Sequence, residues 1–156
     1  PAFAGAFSDD GEIINQFVKN SYDSSDNINE IHWLAKNEVE LSYRPLLEYT
    51  KGLISLRKKF DAFTLGIQKE IEKATNFIET SNPFVLLYTI EKNGKLWYLC
   101  FNASEYPHVI EINKSGNLEI YVNKDIASST PIGIYEIKEK KEISIPKRSA
   151  FVAALN

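Results

Sequence analysis

The densest set of groups able to do chemistry is acidic: Asp9, Asp10 and Glu12, followed by Asp23, Asp26 and Glu30. A calcium loop of the EF-hand kind needs oxygen ligands at positions 1, 3, 5, 7 and 12 of one window, and no window here supplies them. Read alone, these acids are either a cation site or solvated loop acids and helix caps, and their spacing favours the second. A glycosidase pair needs two carboxylates held about 5–9 Å apart on rigid supports, for which acids adjacent in a loop are poor candidates. The only imidazoles, His32 and His108, lie far apart in the chain, and no HExxH, Cys/His spacing or G-x-S-x-G elbow accompanies them. Zinc hydrolysis and serine-triad catalysis therefore have no support. The single cysteine, Cys100, sits in the apolar run Leu99-Cys100-Phe101 and reads as a small buried hydrophobe rather than a reactive thiol. The glycines form neither a P-loop nor a dinucleotide fingerprint. No metal and no cofactor is expected. Tyr22, Trp33 and Trp97 are rings able to stack on a sugar face, although a loop aromatic such as Tyr22 or Trp33 reads more simply as an anchor to a core.

Elements must exist to position these groups. With 156 residues, 44% apolar and 25% charged, the chain is globular and amounts to one domain or a small domain plus an appended piece. The net charge of −3, with Arg57-Lys58-Lys59 as the longest basic block, excludes nucleic-acid binding through a basic face. No apolar run approaches the roughly 18–20 residues of a transmembrane helix, and no signal-peptide plan opens the chain, so a soluble chain without membrane contact is expected, its compartment undetermined. The chain contains no Met and starts at Pro1, as expected of a piece of a longer polypeptide.

Residues 1–44 are loop-rich, with turn-forming stretches at Ser8-Asp9-Asp10-Gly11 and Ser21 to Asn27. They also carry Phe17, Tyr22, Ile28, Ile31, Trp33, Leu34, Leu41 and Tyr43, too many large apolar groups for disorder. Arg44 to Phe60 reads as a helix with Pro45 in its first turn. Leu46, Tyr49, Leu53, Leu56 and Phe60 fall on one helical stripe, and Leu47 and Ile54 widen it by about 100°, which predicts two neighbours rather than one. Ile67 to Ala74 reads as a short exposed helix or turn. From Asn76 the pattern is β: Phe77-Ile78, Phe84–Ile90, Leu96–Phe101, Val109–Ile112, Leu118–Val122, Gly133–Ile137, Ile143–Ile145 and Ala150–Leu155. Asn93-Gly94 between the second and third runs is a hairpin signal. Some eight short strands are the usual content of an antiparallel two-sheet sandwich.

Several stretches resemble the C-terminal end of pullulanase-like enzymes of the α-amylase superfamily. Asn20-Ser21-Tyr22-Asp23-Ser24-Ser25-Asp26-Asn27-Ile28-Asn29-Glu30-Ile31-His32-Trp33 is similar to the family's Asn-Ser-Tyr, two residues, Pro-Asp, one residue, Ile-Asn, spacer, Asp-Trp. Tyr49-Thr50-Lys51-Gly52-Leu53-Ile54-Ser55-Leu56-Arg57-Lys58, with Ala62-Phe63 after it, resembles the helix that closes the catalytic barrel. Pro1 to Phe7 is similar to the last barrel strand. Ser25 stands where the family usually has Pro, His32 replaces the usual Asp, and Ala6 falls where an acidic residue is common.

The resemblance implies a mainly β fold: an antiparallel two-sheet β-sandwich of the α-amylase C-terminal type, preceded by a long loop and one amphipathic helix from the end of a (β/α)8 barrel. It implies a barrel remnant at 1–65, a sandwich domain at 66–156, and the upstream catalytic barrel of the same polypeptide as partner. The family's nucleophile, acid/base and stabilising acid lie upstream of anything aligned with Pro1, so no catalytic role carries over and this chain alone should be inert. Asn20, Ser21, Tyr22 and Asp26 match the motif of the loop bordering the glucan subsites, which makes them the expected contacts to α-glucan. The parent activity implied is hydrolysis of α-1,6-glucosidic bonds. The alternative is a freestanding β-sandwich that binds starch-like polysaccharide, with Tyr22, Trp33 or Trp97 as stacking platforms.

Overall fold

The computed structural model describes residues 5–7, 13–15, 37 and 43–156. The chain divides into two compact units, 1–44 and 45–156. In the first, β1 (Gly5–Phe7) pairs antiparallel with β2 (Ile13–Asn15), with Ala6 opposite Ile14.

The second unit begins in α1 (Tyr43–Lys59), passes a short 3-10 turn (Asp61–Phe63) and α2 (Gln68–Ala74), and continues as eight strands. These are β3 (Thr75–Ile78), β4 (Val85–Lys92), β5 (Lys95–Asn102), β6 (His108–Ile112), β7 (Gly116–Val122), β8 (Gly133–Ile137), β9 (Lys141–Ile145) and β10 (Ser149–Leu155). All eight expected strands are present, each within a few residues of its expected ends. They form an antiparallel six-stranded sheet in the order β3-β4-β5-β10-β7-β8 and a two-stranded sheet, β6-β9. Asn93 (φ 52°) and Gly94 (φ 74°) make the tight left-handed turn between β4 and β5, as an Asn-Gly pair does in a type I′ hairpin.

One core lies between the sheets. Leu87, Tyr98, Cys100, Phe151, Ala153 and Leu155 from the large sheet meet Ile110, Ile112 and Ile145 from the small one. The opposite face of the large sheet is buried too: Trp97, Leu99, Val152 and Ala154 lie with Leu56 of α1 and Ala62. Burial on both faces is why β5 and β10 read as unbroken apolar runs instead of alternating. Trp97 is paired across the strands with Ala154, whose small side chain leaves room for the indole.

A polar knot closes one end of the sandwich. Asn102, buried at the end of β5, donates from Nδ2 to the carbonyls of Tyr106, Ile145 and Pro146 at 2.8, 3.2 and 3.0 Å. Its Oδ1 accepts from the backbone N–H and the hydroxyl of Ser104 at 3.0 and 2.7 Å. A buried side-chain amide satisfied on both its donor and acceptor sides stabilises its setting instead of straining it.

Helix α1 docks on the sheet with a narrower face than its stripe suggests. The sequence predicts burial of about five large apolar side chains. Leu56 is buried and Tyr49 and Phe60 are half-buried, whereas Leu46 (56% exposed), Leu53 and Ile54 (50%) lie open. The reason is Gly52. A Cβ there would stand 1.8 Å from the carbonyl oxygen of Ala127, so the helix backbone rests directly on the segment after β7. The contact face is therefore centred on Gly52, Leu56 and Tyr49, which fall within about 60° of one another at 100° per residue, and Leu46 and Ile54 are turned away. Tyr49 hydroxyl donates to the Asn123 carbonyl at 3.1 Å and Lys59 Nζ to the Ser129 carbonyl at 2.8 Å, fixing both ends of this seat. Helix α2, as expected, is short and buries no residue.

Glycine lowers intrinsic helix stability by about 1 kcal/mol relative to alanine, so propensity alone favours Gly52→Ala. The Ala127 contact opposes it, and overpacking of this kind costs about 1–3 kcal/mol. Gly52→Ala is expected to lower the midpoint of chemical denaturation; a raised midpoint would show that the helix does not sit this close to the sheet.

Candidate functional site

The residues that the resemblance assigns to glucan contact, Asn20, Ser21, Tyr22 and Asp26, lie outside the described residues, as do Asp9, Asp10, Glu12, Asp23, Glu30, His32 and Trp33. The site can be built only from the second unit. There, His108 opens β6 half-buried, and among the described residues no group of three or more His, Cys, Asp or Glu side chains could hold a metal ion.

Cys100 is wholly buried between the sheets, and burial pushes its thiol up to about 11. That is the setting of an inert packing residue, since the thiolate is the reactive form. Trp97 corrects the alternative reading in which it serves as a sugar platform. It is 1% exposed and enclosed by Phe60 (4.7 Å between ring centroids), Phe63 (4.8 Å) and Tyr121 (5.2 Å), so neither ring face is open to a ligand. The apolar run of β5 carried no sign of this, because the rings that cover Trp97 come from the residue after α1, the 3-10 turn and β7.

The chemistry that the sequence did not disclose sits at the rim of that cluster. Glu119 Oε2 accepts from Lys95 Nζ at 2.9 Å and from the Tyr121 hydroxyl at 2.7 Å. Glu119 and Tyr121 are two apart on one strand and so share the helix-facing side of the large sheet. Lys95 reaches the same oxygen from β5, on the far side of β10, a pairing that only strand order reveals. Burial works to raise the Glu119 carboxyl but is outweighed by hydrogen bonds from Lys95, Tyr121 and Asn156 and by the charge of Lys95, leaving it below the ordinary carboxylate range. Burial, with the Glu119 hydrogen bond and charge, pushes the Tyr121 hydroxyl up. The partners satisfy one another, and the group acts as a polar cover over the Phe60, Trp97 and Tyr121 rings.

Two depressions lie on the second unit's surface. An opening of about 260 Å³ enters the sandwich between Ile120, Ile143 and Phe151, with Asn123, Lys124 and Asp125 at its rim. A wider groove of about 510 Å³ runs between α2 and the β4–β5 hairpin, lined by Glu70, Lys73, Glu91, Lys92 and Asn93, where Glu70 and Lys92 pair at 3.8 Å. Neither brings together an acid/base pair with a nucleophile.

Because the folded-state carboxyl of Glu119 is lowered, its contribution to stability is present above the ordinary glutamate range and is lost as pH falls through the folded value. The thermal midpoint of the wild-type chain is expected to drop on acidification through that range, and Glu119→Gln to show a lower midpoint at neutral pH with a shallower acid limb. Parallel acid limbs in the two proteins would assign no such role to Glu119.

No family model matches the chain. It is 27% identical over 132 residues to Pullulanase A of Streptococcus pneumoniae serotype 4, a match that covers 76% of this chain and 10% of the relative. The chain thus spans about a tenth of the length of that curated relative. Among solved structures, the catalytic module of the glycogen-degrading pneumococcal virulence factor SpuA aligns over 95% of this chain and 23% of its own, with a TM-score of 0.77 and 24% identity. The group B streptococcal pullulanase SAP, in complex with maltotetraose, aligns over 100% of this chain and 24% of its own, with a TM-score of 0.71 and 24% identity. In sequence and in fold, the chain resembles the C-terminal part of a pullulanase-like glycoside hydrolase of the α-amylase superfamily.

Proposed function

We propose that the chain is the non-catalytic C-terminal segment of a pullulanase-type α-glucan debranching enzyme, with residues 1–65 belonging to the catalytic barrel and 66–156 forming the sandwich domain. Its role is structural. Cleavage of α-1,6 bonds belongs to the barrel, which supplies the nucleophile and proton donor that retaining hydrolysis needs together. Asn20, Ser21, Tyr22 and Asp26 then border the glucan subsites from the loop that follows the last barrel strand.

One observation carries this reading: α1 holds large apolar side chains exposed away from its seat on the sheet. Leu46, Leu53 and Ile54 are exposed on the helix whose other side rests on the sheet. Burying a leucine or isoleucine contributes about 1.5–3 kcal/mol, so a helix apolar on two sides is suited to a seat between two bodies, and a barrel supplies the second. The sheet adds to the case. Phe77 (68% exposed), Leu86 and Phe101 stand open on the same side of the large sheet as α1, and Phe84 (66%) is exposed in the turn just before β4. Exposed apolar groups gathered in this way mark contact surfaces more often than free ones.

The purified chain is expected to release no reducing sugar from pullulan and to migrate unretarded in pullulan or starch gels. Sugar release would overturn the non-catalytic reading, and retardation would favour a glucan-binding module. In the longer polypeptide, Leu46→Glu combined with Ile54→Glu is expected to lower the thermal midpoint while leaving that of the isolated chain unchanged. An equal fall in both would place these side chains in the chain's own core.

A further inference from the structure

Asn93-Gly94 is the one Asn-Gly pair in the sequence, and it lies exposed at the tip of the β4–β5 hairpin. An asparagine in this position can react with its own backbone. The Gly94 nitrogen, once deprotonated, attacks Cγ of Asn93, and the absence of a Cβ on Gly94 leaves the approach open. An N–Cγ bond forms, the Cγ–Nδ2 bond breaks and ammonia leaves, giving a five-membered succinimide. Water then opens that ring at one carbonyl or the other, producing aspartate or isoaspartate. Water is the only co-reactant, and nothing is oxidised or reduced.

What distinguishes this hairpin is the group that holds the amide. Asn93 Nδ2 donates to both carboxylate oxygens of Asp61, at 2.9 and 3.2 Å. Asp61 begins the 3-10 turn that follows α1, and Phe60 just before this turn and Phe63 at its end pack their rings on Trp97. An ionised carboxylate only accepts hydrogen bonds. It binds the Asn93 amide, and it repels the acid that this amide becomes, because two carboxylates at hydrogen-bond distance disfavour each other's charge. We propose that Asn93 is a site of spontaneous deamidation, restrained by Asp61 while it remains an amide, and that its conversion opens the link between the β4–β5 hairpin and the turn after α1.

The test follows the purified chain in mildly alkaline buffer at physiological temperature, by peptide mapping with mass spectrometry and by isoaspartyl methyltransferase labelling. Asn93 is expected to convert ahead of every other asparagine, and several-fold faster in Asp61→Ala. Asn93→Asp keeps a residue pair that also supports the type I′ turn, so it isolates the effect of charge. It is expected to lower the thermal midpoint, and Asp61→Asn added to it to restore that midpoint. Persistence of the Asn93 amide while other asparagines convert, an unchanged rate in Asp61→Ala, or equal midpoints for Asn93→Asp with and without Asp61→Asn would each overturn the proposal.

Discussion

Strands β5 and β10 must be covered on both faces, and the arrangement of residues 45–156 follows from that demand. A strand carrying Trp97, Tyr98, Leu99 and Cys100 in succession has no side to offer to water. Two strands of the small sheet cover one face, and α1 with the aromatic cluster at its end covers the other. The helix can do this only by coming close, and Gly52 permits the approach. Where the chain leaves the helix, Phe60 and Phe63 close over Trp97, and the Lys95–Glu119–Tyr121 group screens their edge from solvent. Stability in this unit is thus concentrated in a three-layer stack of small sheet, large sheet and helix, not in the sandwich alone.

Much of this was legible in the sequence because it is local. Turn-forming residues bounded each strand, Asn93-Gly94 marked a hairpin, and the period of the α1 apolar stripe located the helix to within a residue. What was not legible depends on which strands become neighbours. The division into six strands and two, the enclosure of Trp97 and the meeting of Lys95 with Glu119 all depend on β10 inserting between β5 and β7, a non-local pairing that no short window encodes. The α1 stripe misled in a different way. Its apolar residues were correctly grouped, yet the side that touches the sheet is chosen by a residue with no side chain, and hydrophobic periodicity gives glycine no weight. The resemblance motif around Tyr22 falls outside the described residues, and its link to glucan is read from the sequence alone.

The surface of the unit has a consistent asymmetry. Charged and polar groups line the groove between α2 and the β4–β5 hairpin, whereas the helix side of the large sheet leaves Phe77, Leu86 and Phe101 open, with Leu46 and Ile54 exposed on α1. The rings of Phe77 and Tyr88 lie 5.4 Å apart and those of Tyr88 and Phe101 6.3 Å apart, so exposed Phe77 and Phe101 are joined through half-buried Tyr88 in a row across β3, β4 and β5. A face of this composition is costly for a protein on its own and favourable in one that holds a neighbour. No helix among the described residues is long and apolar enough to cross a membrane.

The knot at Asn102 bears on how two strands can serve as half of a sandwich. A two-stranded ribbon has little to hold its position over a larger sheet, since apolar side chains such as Ile110, Ile112 and Ile145 would be nearly as well buried after a shift of two residues. Asn102 gives that ribbon a fixed coordinate. Its five hydrogen bonds join the last residue of β5 to carbonyls at the end of β9 and to the loop that leads into β6, and they cannot be re-formed one step along. The buried amide thus acts as an index pin: hydrophobic packing brings the layers together, and one polar side chain sets where along its length the ribbon comes to rest.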